Sequence, residues 1–316
     1  MSCCSAALQI QIANYQLQIT NQELSGPSSR LMKTVAIMSK PSQPALERVA
    51  PEVMQWFKQH GYRVLVDQET GAYLPGDSPV PRDQLAACKP DFVLVLGGDG
   101  TMLSAARALA EARIPVLGVN LGTLGFLTEV SFSELYPTLE AVVENRCAVE
   151  ARGMLHCHLV RQGERITHFD ALNDAVIHKS ALARILELEI RVDSRFVAEY
   201  RADGIIVATP TGSTAYSLAA GGPVVSPDVD AFIITPISPH MLTHRPVVVK
   251  DTSVVEIIVN GTPEEAFLTV DGQVGIPVVE GDHITCKKSV RQVRLLRHAD
   301  RTFFDVLRMK LKWGER

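Results

Sequence analysis

Gly97-Gly98-Asp99-Gly100-Thr101 sets a single carboxylate into a backbone otherwise stripped of bulky side chains. The five residues follow the apolar run Phe92–Leu96 and precede an Ala- and Leu-rich stretch, 101–112, so the order is strand, turn, helix. Backbone N–H groups and the helix dipole at such a junction favour an anion, most often a phosphate. Glycine lets the backbone approach that anion closely. Asp99 would be repelled by a phosphate, so its presence points to a chemical role, either accepting a hydroxyl proton or holding Mg²⁺ that bridges phosphates. A plain Gly-Asp-Gly tight turn is the alternative. Two other phosphate motifs are absent. Leu103 stands where G-x-G-x-x-G needs its last glycine, and no G-x-x-x-x-G-K-[ST] occurs, which removes support for a Rossmann dehydrogenase and a P-loop kinase.

Two further groups share the polar character of a ligand site. Asn120-Leu121-Gly122-Thr123-Leu124-Gly125-Phe126-Leu127 follows the next strand, at the same carboxyl edge of the expected sheet, and Phe126 either flanks a ligand or packs its own loop. Farther on come Asn173-Asp174, Arg184, Tyr200-Arg201-Ala202-Asp203-Gly204 and Thr209-Pro210-Thr211-Gly212-Ser213-Thr214-Ala215-Tyr216-Ser217. The last run is dense in hydroxyls that can bond a polar ligand, and Tyr216 can stack on a base; taken alone, such a run is as readily a capped turn. Arg184 and Arg201 can pair with phosphates, or simply be solvated.

The elements that must position these residues divide near residue 150. Before it, apolar strands at Val35–Met38, Arg63–Val66, Phe92–Leu96 and Pro115–Val119 alternate with helical stretches from Ser42 to His60, over 101–112 and near 132–146. This predicts an α/β domain over 33–150 with an open, mostly parallel sheet. After it, strand-like runs dominate at Leu155–Val160, Asp174–His178, Leu186–Val192, Gly204–Ala208, Val247–Val249, Val254–Val259, Ala266–Val270 and Arg291–Leu296. They predict a mostly antiparallel β domain over 151–300, closed by a C-terminal helix within 301–316 that packs back on the body. Residues 1–32 carry no charge before Glu23 and fit neither domain. They read as a disordered tail, or as an upstream start with the true start at Met32. Composition sets the outer bounds. With 316 residues the chain is long enough for two domains, and a net charge of −4 excludes the broadly basic surface of a nucleic-acid binder. Six cysteines, scattered apart from Cys3-Cys4, suggest free thiols in a reducing cytoplasm, and no run of 18 apolar residues suggests a membrane span.

Taken together and in order, Gly97–Thr101, Leu121–Leu127, Asn173-Asp174, and Asp203-Gly204 leading into Pro210–Ser217 resemble the NAD kinase family, bacterial type, over residues 33–313. The resemblance implies a phosphotransferase that moves the γ-phosphoryl of ATP to the 2′-hydroxyl of the adenosine ribose of NAD⁺, with a divalent metal, Mg²⁺, and no role for nucleic acid or membrane. It implies Asp99 as catalytic base, with Gly100 beside the substrate; the backbone N–H groups of Gly97, Gly98, Gly100 and Thr101 would steady the ATP phosphates. It places the adenosine ribose on Asn173 and Asp174, the latter shorter than the Glu of many members, and the nicotinamide end on Asp203. Thr214, Ala215, Tyr216 and Ser217 would cradle the adenine side. Arg184, Arg201 and Gln273 would line the dinucleotide site, with Arg201 favouring NAD⁺ over NADH. A homo-oligomer, dimer or tetramer, is also implied. Diacylglycerol- and sphingosine-type lipid kinases share the Gly-Gly-Asp-Gly motif but not the adenosine elements, and the chain has no amphipathic basic segment for a membrane surface. A non-catalytic dinucleotide sensor would have no need of Asp99.

Overall fold

The computed structural model describes residues 33–313 apart from 77, 181–183, 262–265 and 299–300. The expected tail over 1–32 lies outside the described residues. The first half builds β1 (Lys33–Ser39), α1 (Leu46–Gln59), β2 (Tyr62–Val66), α2 (Gln68–Gly71), β3 (Phe92–Leu96), α3 (Asp99–Leu109), β4 (Pro115–Asn120), β5 (Val130–Ser131) and α4 (Leu135–Val143). Continuous apolar sequence in β3 follows from burial on both faces, since every residue of Phe92–Leu96 is buried. Val35 and Ile37 face a core with α1 and α4, through Val49, Val53, Phe57, Leu135 and Leu139. Ala36 and Met38 face the opposite core, which contains Met102, Ala105 and Leu109 of α3. The helix expected from Ser42 opens at Leu46 instead, because Ser42 lies at φ 54°, outside helical space.

The second half supplies β6 (Ala148–Arg161), β7 (Glu164–Ala171), β8 (Asp174–Lys179), β9 (Leu186–Val192), β10 (Arg195–Ala202), β11 (Gly204–Ala208), α5 (Tyr216–Ala219), β12 (Ala231–Ile237), β13 (Val247–Lys250), β14 (Val255–Gly261), β15 (Ala266–Val270), β16 (Val274–Val278), β17 (His283–Arg297) and α6 (Phe303–Leu311). Strands β5, β7, β10, β12 and β16 are additional to those expected from sequence. β7 and β10 are rich in exposed polar residues, β16 contains Gly275 and Pro277, and β12 contains Pro236. Pro236 is tolerated because β13 pairs only with Ala231–Ile234, so β12 has one neighbour where the proline's missing N–H falls.

An antiparallel six-stranded sheet runs β13-β12-β11-β8-β15-β16. It packs over the antiparallel part of an eleven-stranded sheet through Leu159, Leu188, Ile190, Val207, Phe232 and Leu268. That larger sheet continues β10-β9-β14-β17-β4-β3-β1-β2. Strand β17 is the joint: it pairs antiparallel with β6 and β14, then parallel with β4 at Arg294–Pro115 and Leu295–Val116. The α/β architecture with a parallel sheet and the antiparallel second half are as expected. The boundary expected at residue 150 falls inside β6, and the two regions share one sheet through the pairing of β17 with β4.

Candidate active site

Asp99 is the first residue of α3, at the carboxyl edge of β3. Gly97 is buried against the helix start, and a Cβ there would stand 2.5 Å from Thr101 Oγ1. Four donors converge on the Asp99 carboxylate. Oδ1 accepts from Leu127 N at 3.1 Å, Thr128 N at 3.0 Å and Thr128 Oγ1 at 2.9 Å, and Oδ2 accepts from Phe126 N at 2.8 Å. The second glycine loop is therefore the cradle of the first motif's acid. Gly125 is required there because a Cβ would sit 1.9 Å from Asp99 Oδ1. Thr128 is itself fixed by Asn120 Nδ2 at 2.9 Å, and Asn120 Oδ1 accepts from Gly122 N at 2.7 Å. A carboxylate has about four acceptor positions. Those positions are two per oxygen, so the three donors at Oδ1 more than saturate it, while Oδ2 accepts only from Phe126 N and can accept from one more hydroxyl.

Asn173, Asp174, Ala215 and Tyr216 meet in a cleft of ≈ 380 Å³ with His178, Thr269, Asp271 and Gly272. Gly212 packs directly on the Asn173 backbone, where a Cβ would lie 2.1 Å from Asn173 O, and Thr209 N donates to that same carbonyl at 2.8 Å. This contact brings the Thr-Pro-Thr-Gly-Ser turn beside the Asn-Asp pair. Burial, then the neighbouring Asp271 carboxylate, raises the Asp174 carboxyl to about 7. Asp271 is also raised by burial, against the amides of Asn173, Leu172 and Asp174 that donate to it and the nearby Arg107.

The other residues expected at the site are distributed around this cleft. Gln273, next to the cleft residue Gly272, ties that turn to α3, since Nε2 donates to Gly100 O at 2.7 Å and Oε1 accepts from Arg107. Asp203 lies 3.4 Å from Lys179, beside the His178 end. Thr214 Oγ1 donates to Thr211 O at 3.2 Å, within its own turn. Ser217 is fully buried and its hydroxyl bonds Thr235 at 2.9 Å, so it supports the turn from inside. Arg201 is exposed and pairs with Glu187 at 3.2 Å, and Arg184 is exposed; neither is among the residues lining the cleft. Sequence reading quoted Asn120 only as the start of the second glycine loop, and it missed Arg107, Thr128 and Asp271. Only Asp271 left a signal, an Asp-Gly turn directly after the strand Ala266–Val270.

Residues 35–147 match the family of ATP-NAD kinase N-terminal domains, and residues 172–298 match ATP-NAD kinase C-terminal domains. The chain is 55% identical to the NAD kinase of Koribacter versatilis over 285 residues, covering 90% of this chain and 100% of that one. It is 49% identical to the NAD kinase of Acidobacterium capsulatum, again over 90% and 100%. The fold superimposes on yeast NADH kinase complexed with NADH with a TM-score of 0.82 at 27% identity, covering 93% of this chain and 94% of that one. For an NAD kinase from Archaeoglobus fulgidus in complex with ATP the TM-score is 0.72 at 28% identity, with 88% and 98% covered.

Proposed function

Because the chain belongs to the NAD kinase family and is a phosphotransferase using ATP, we propose that Asp99 is the base for the hydroxyl that attacks the donor. The observation that carries this reading is the open acceptor position at Oδ2, on a carboxylate whose other positions are held by Phe126, Leu127 and Thr128. In this proposal the 2′-hydroxyl of the adenosine ribose of NAD⁺ hydrogen-bonds Asp99 Oδ2, gives up its proton to that carboxylate and bonds the γ-phosphorus as the bond to the β,γ-bridging oxygen breaks and ADP leaves. Asn173 and Asp174 hold the ribose, Ala215 and Tyr216 the adenine side, and Asp203 the nicotinamide end. Phosphoryl transfer depends mainly on positioning and charge stabilisation, which the fixed carboxylate and the amides at the start of α3 supply. Among the described residues no group of three or more His, Cys, Asp or Glu could hold a metal ion. In this reading the divalent cation enters with the substrate, as MgATP, and neutralises phosphate charge there. A homo-oligomer and a cytoplasmic location complete the reading; edge strand β10 exposes Phe196 and Val197, and light scattering checks the assembly.

The test incubates the full chain with ATP, Mg²⁺ and NAD⁺, with diacylglycerol as the competing acceptor, and follows NADP⁺. NADP⁺ is the expected product. Phosphatidate in its place would support the lipid-kinase reading. A sensor would bind NAD⁺ and form neither product.

A further inference from the structure

The phosphate-binding turn carries an electrostatic imbalance. It must accept a triphosphate with several negative charges, yet its own side chain is the Asp99 carboxylate. The N-terminus of α3 offers only about half a positive charge. Most basic side chains near this edge are already engaged. Arg82 is bound by Asp67, Ser104 and the Ser39 carbonyl. Arg107 is turned toward Asp271 and Gln273, and Lys310 donates to Leu124 O.

Lys40 differs from these. Its amide donates to Leu96 O at 3.0 Å, which anchors it beside the turn at the end of β3. A Cβ on Gly97 would stand 3.2 Å from Lys40 Cβ, so the two residues are in contact. The side chain is exposed, and among the described residues nothing pairs with its ammonium. We propose that Lys40 reaches over the Gly97-Gly98 turn and binds the β- and γ-phosphates of the nucleoside triphosphate donor, offsetting the charge of Asp99. The proposal rests on the kinase reading above and adds a residue that no motif contains. An ammonium suits this place because it is a compact point charge on a flexible stem and can follow a phosphate that moves during transfer.

The test compares Lys40→Met with the parent chain in steady-state kinetics and in equilibrium binding of ATP and AMP. Loss of one charge-assisted hydrogen bond corresponds to roughly a ten- to hundredfold effect. The expected result is a rise of that size in KM for ATP, with KM for NAD⁺ within about twofold of the parent value. In binding, ATP should weaken similarly while AMP, which lacks the β- and γ-phosphates, is unchanged. Lys40→Arg should recover most of the loss. An unchanged KM and Kd for ATP would overturn the proposal, as would a loss falling on NAD⁺ or equally on AMP. If the parent chain made no NADP⁺, the kinase reading would fail, and the difference between ATP and AMP binding would still decide the role of Lys40.

Discussion

Three residues carry predictions of their own. Asp99→Asn keeps the shape of the acid, and its amide oxygen can still accept hydrogen bonds from the cradle, but it cannot take a proton. NAD⁺ binding measured by calorimetry should persist while kcat falls by roughly 10²–10⁴, and unchanged kcat would remove Asp99 from the base role. Gly125→Ala acts on the same carboxylate from the opposite side. Its methyl would meet Asp99 Oδ1 at 1.9 Å and Thr128 Oγ1 at 2.5 Å, so the cradle must open; kcat should drop by about a hundredfold. Asp174 titrates at about 7, and only its ionised form is a pure acceptor for two ribose hydroxyls. KM for NAD⁺ should therefore fall as pH rises through 7, and Asp174→Asn should flatten the profile. The sign for stability is opposite. A carboxyl raised from 3.8 to about 7 binds more protons folded than unfolded across that interval, so it progressively weakens the fold as pH climbs through it. Thermal melts at pH 5 and pH 8 check this, with Asp174→Asn losing less between them. Asp99 stood out in sequence because glycines flank it between a strand and a helix, and the Asn173-Asp174 pair took on a role only through the family resemblance. Asp271 and Arg107 were not legible there, since a lone charge gains meaning only from partners far along the chain.

At the scale of elements, the loop that cradles Asp99 is itself braced by α6. Thr302 caps this helix in a reciprocal pair with Asp305, which fixes its first turn. Near its end, Lys310 Nζ donates to Leu124 O at 2.7 Å and lies 5.6 Å from the Phe126 ring centroid. The helix thus holds the backbone that carries the Phe126 and Leu127 amides. One hydrogen bond and one cation–π contact together contribute about 1–2 kcal/mol, enough to bias the loop without deciding the fold. Lys310→Met should lower kcat roughly three- to tenfold and leave both KM values near the parent, with Lys310→Arg in between. A change in melting temperature with kcat intact would reduce the contact to a structural one. The C-terminal helix was readable from the spacing of Phe303, Phe304, Leu307 and Leu311. Its bond to a loop 186 residues away was not, because periodicity reports which face is apolar and not what that face covers. The missed strands have the same origin. β7 has little apolar alternation of its own and is recognised by its antiparallel partner β6, while β10 alternates at Phe196, Ala198, Tyr200 and Ala202 but is interrupted by Val197 and has its first half exposed beside β9.

At the scale of the molecule, the described residues from 34 to 313 form one compact unit, although two families of domain match its halves. Two features should make the halves depend on each other. Strand β17, near the end of the chain, lies beside β4 of the parallel sheet. The core under α3 also mixes Met102, Ala105 and Leu109 with Met154, Leu172, Val293 and Leu295 from the second half. Without those four side chains, that face of the parallel sheet would expose apolar surface, at roughly 1.5–3 kcal/mol for each large residue, against a total stability typically of only 5–15 kcal/mol. The site has the same dependence, since Gln273 and Arg107 tie Gly100 to the Asp271 turn that holds Asn173 and Asp174. Residues 34–147 expressed alone should therefore lack a cooperative melt, and the intact chain should unfold in a single calorimetric transition that NAD⁺ shifts upward as a whole. Two resolved transitions, with NAD⁺ raising only the second, would show that β17 joins two independently stable bodies and that the cleft is assembled by docking alone.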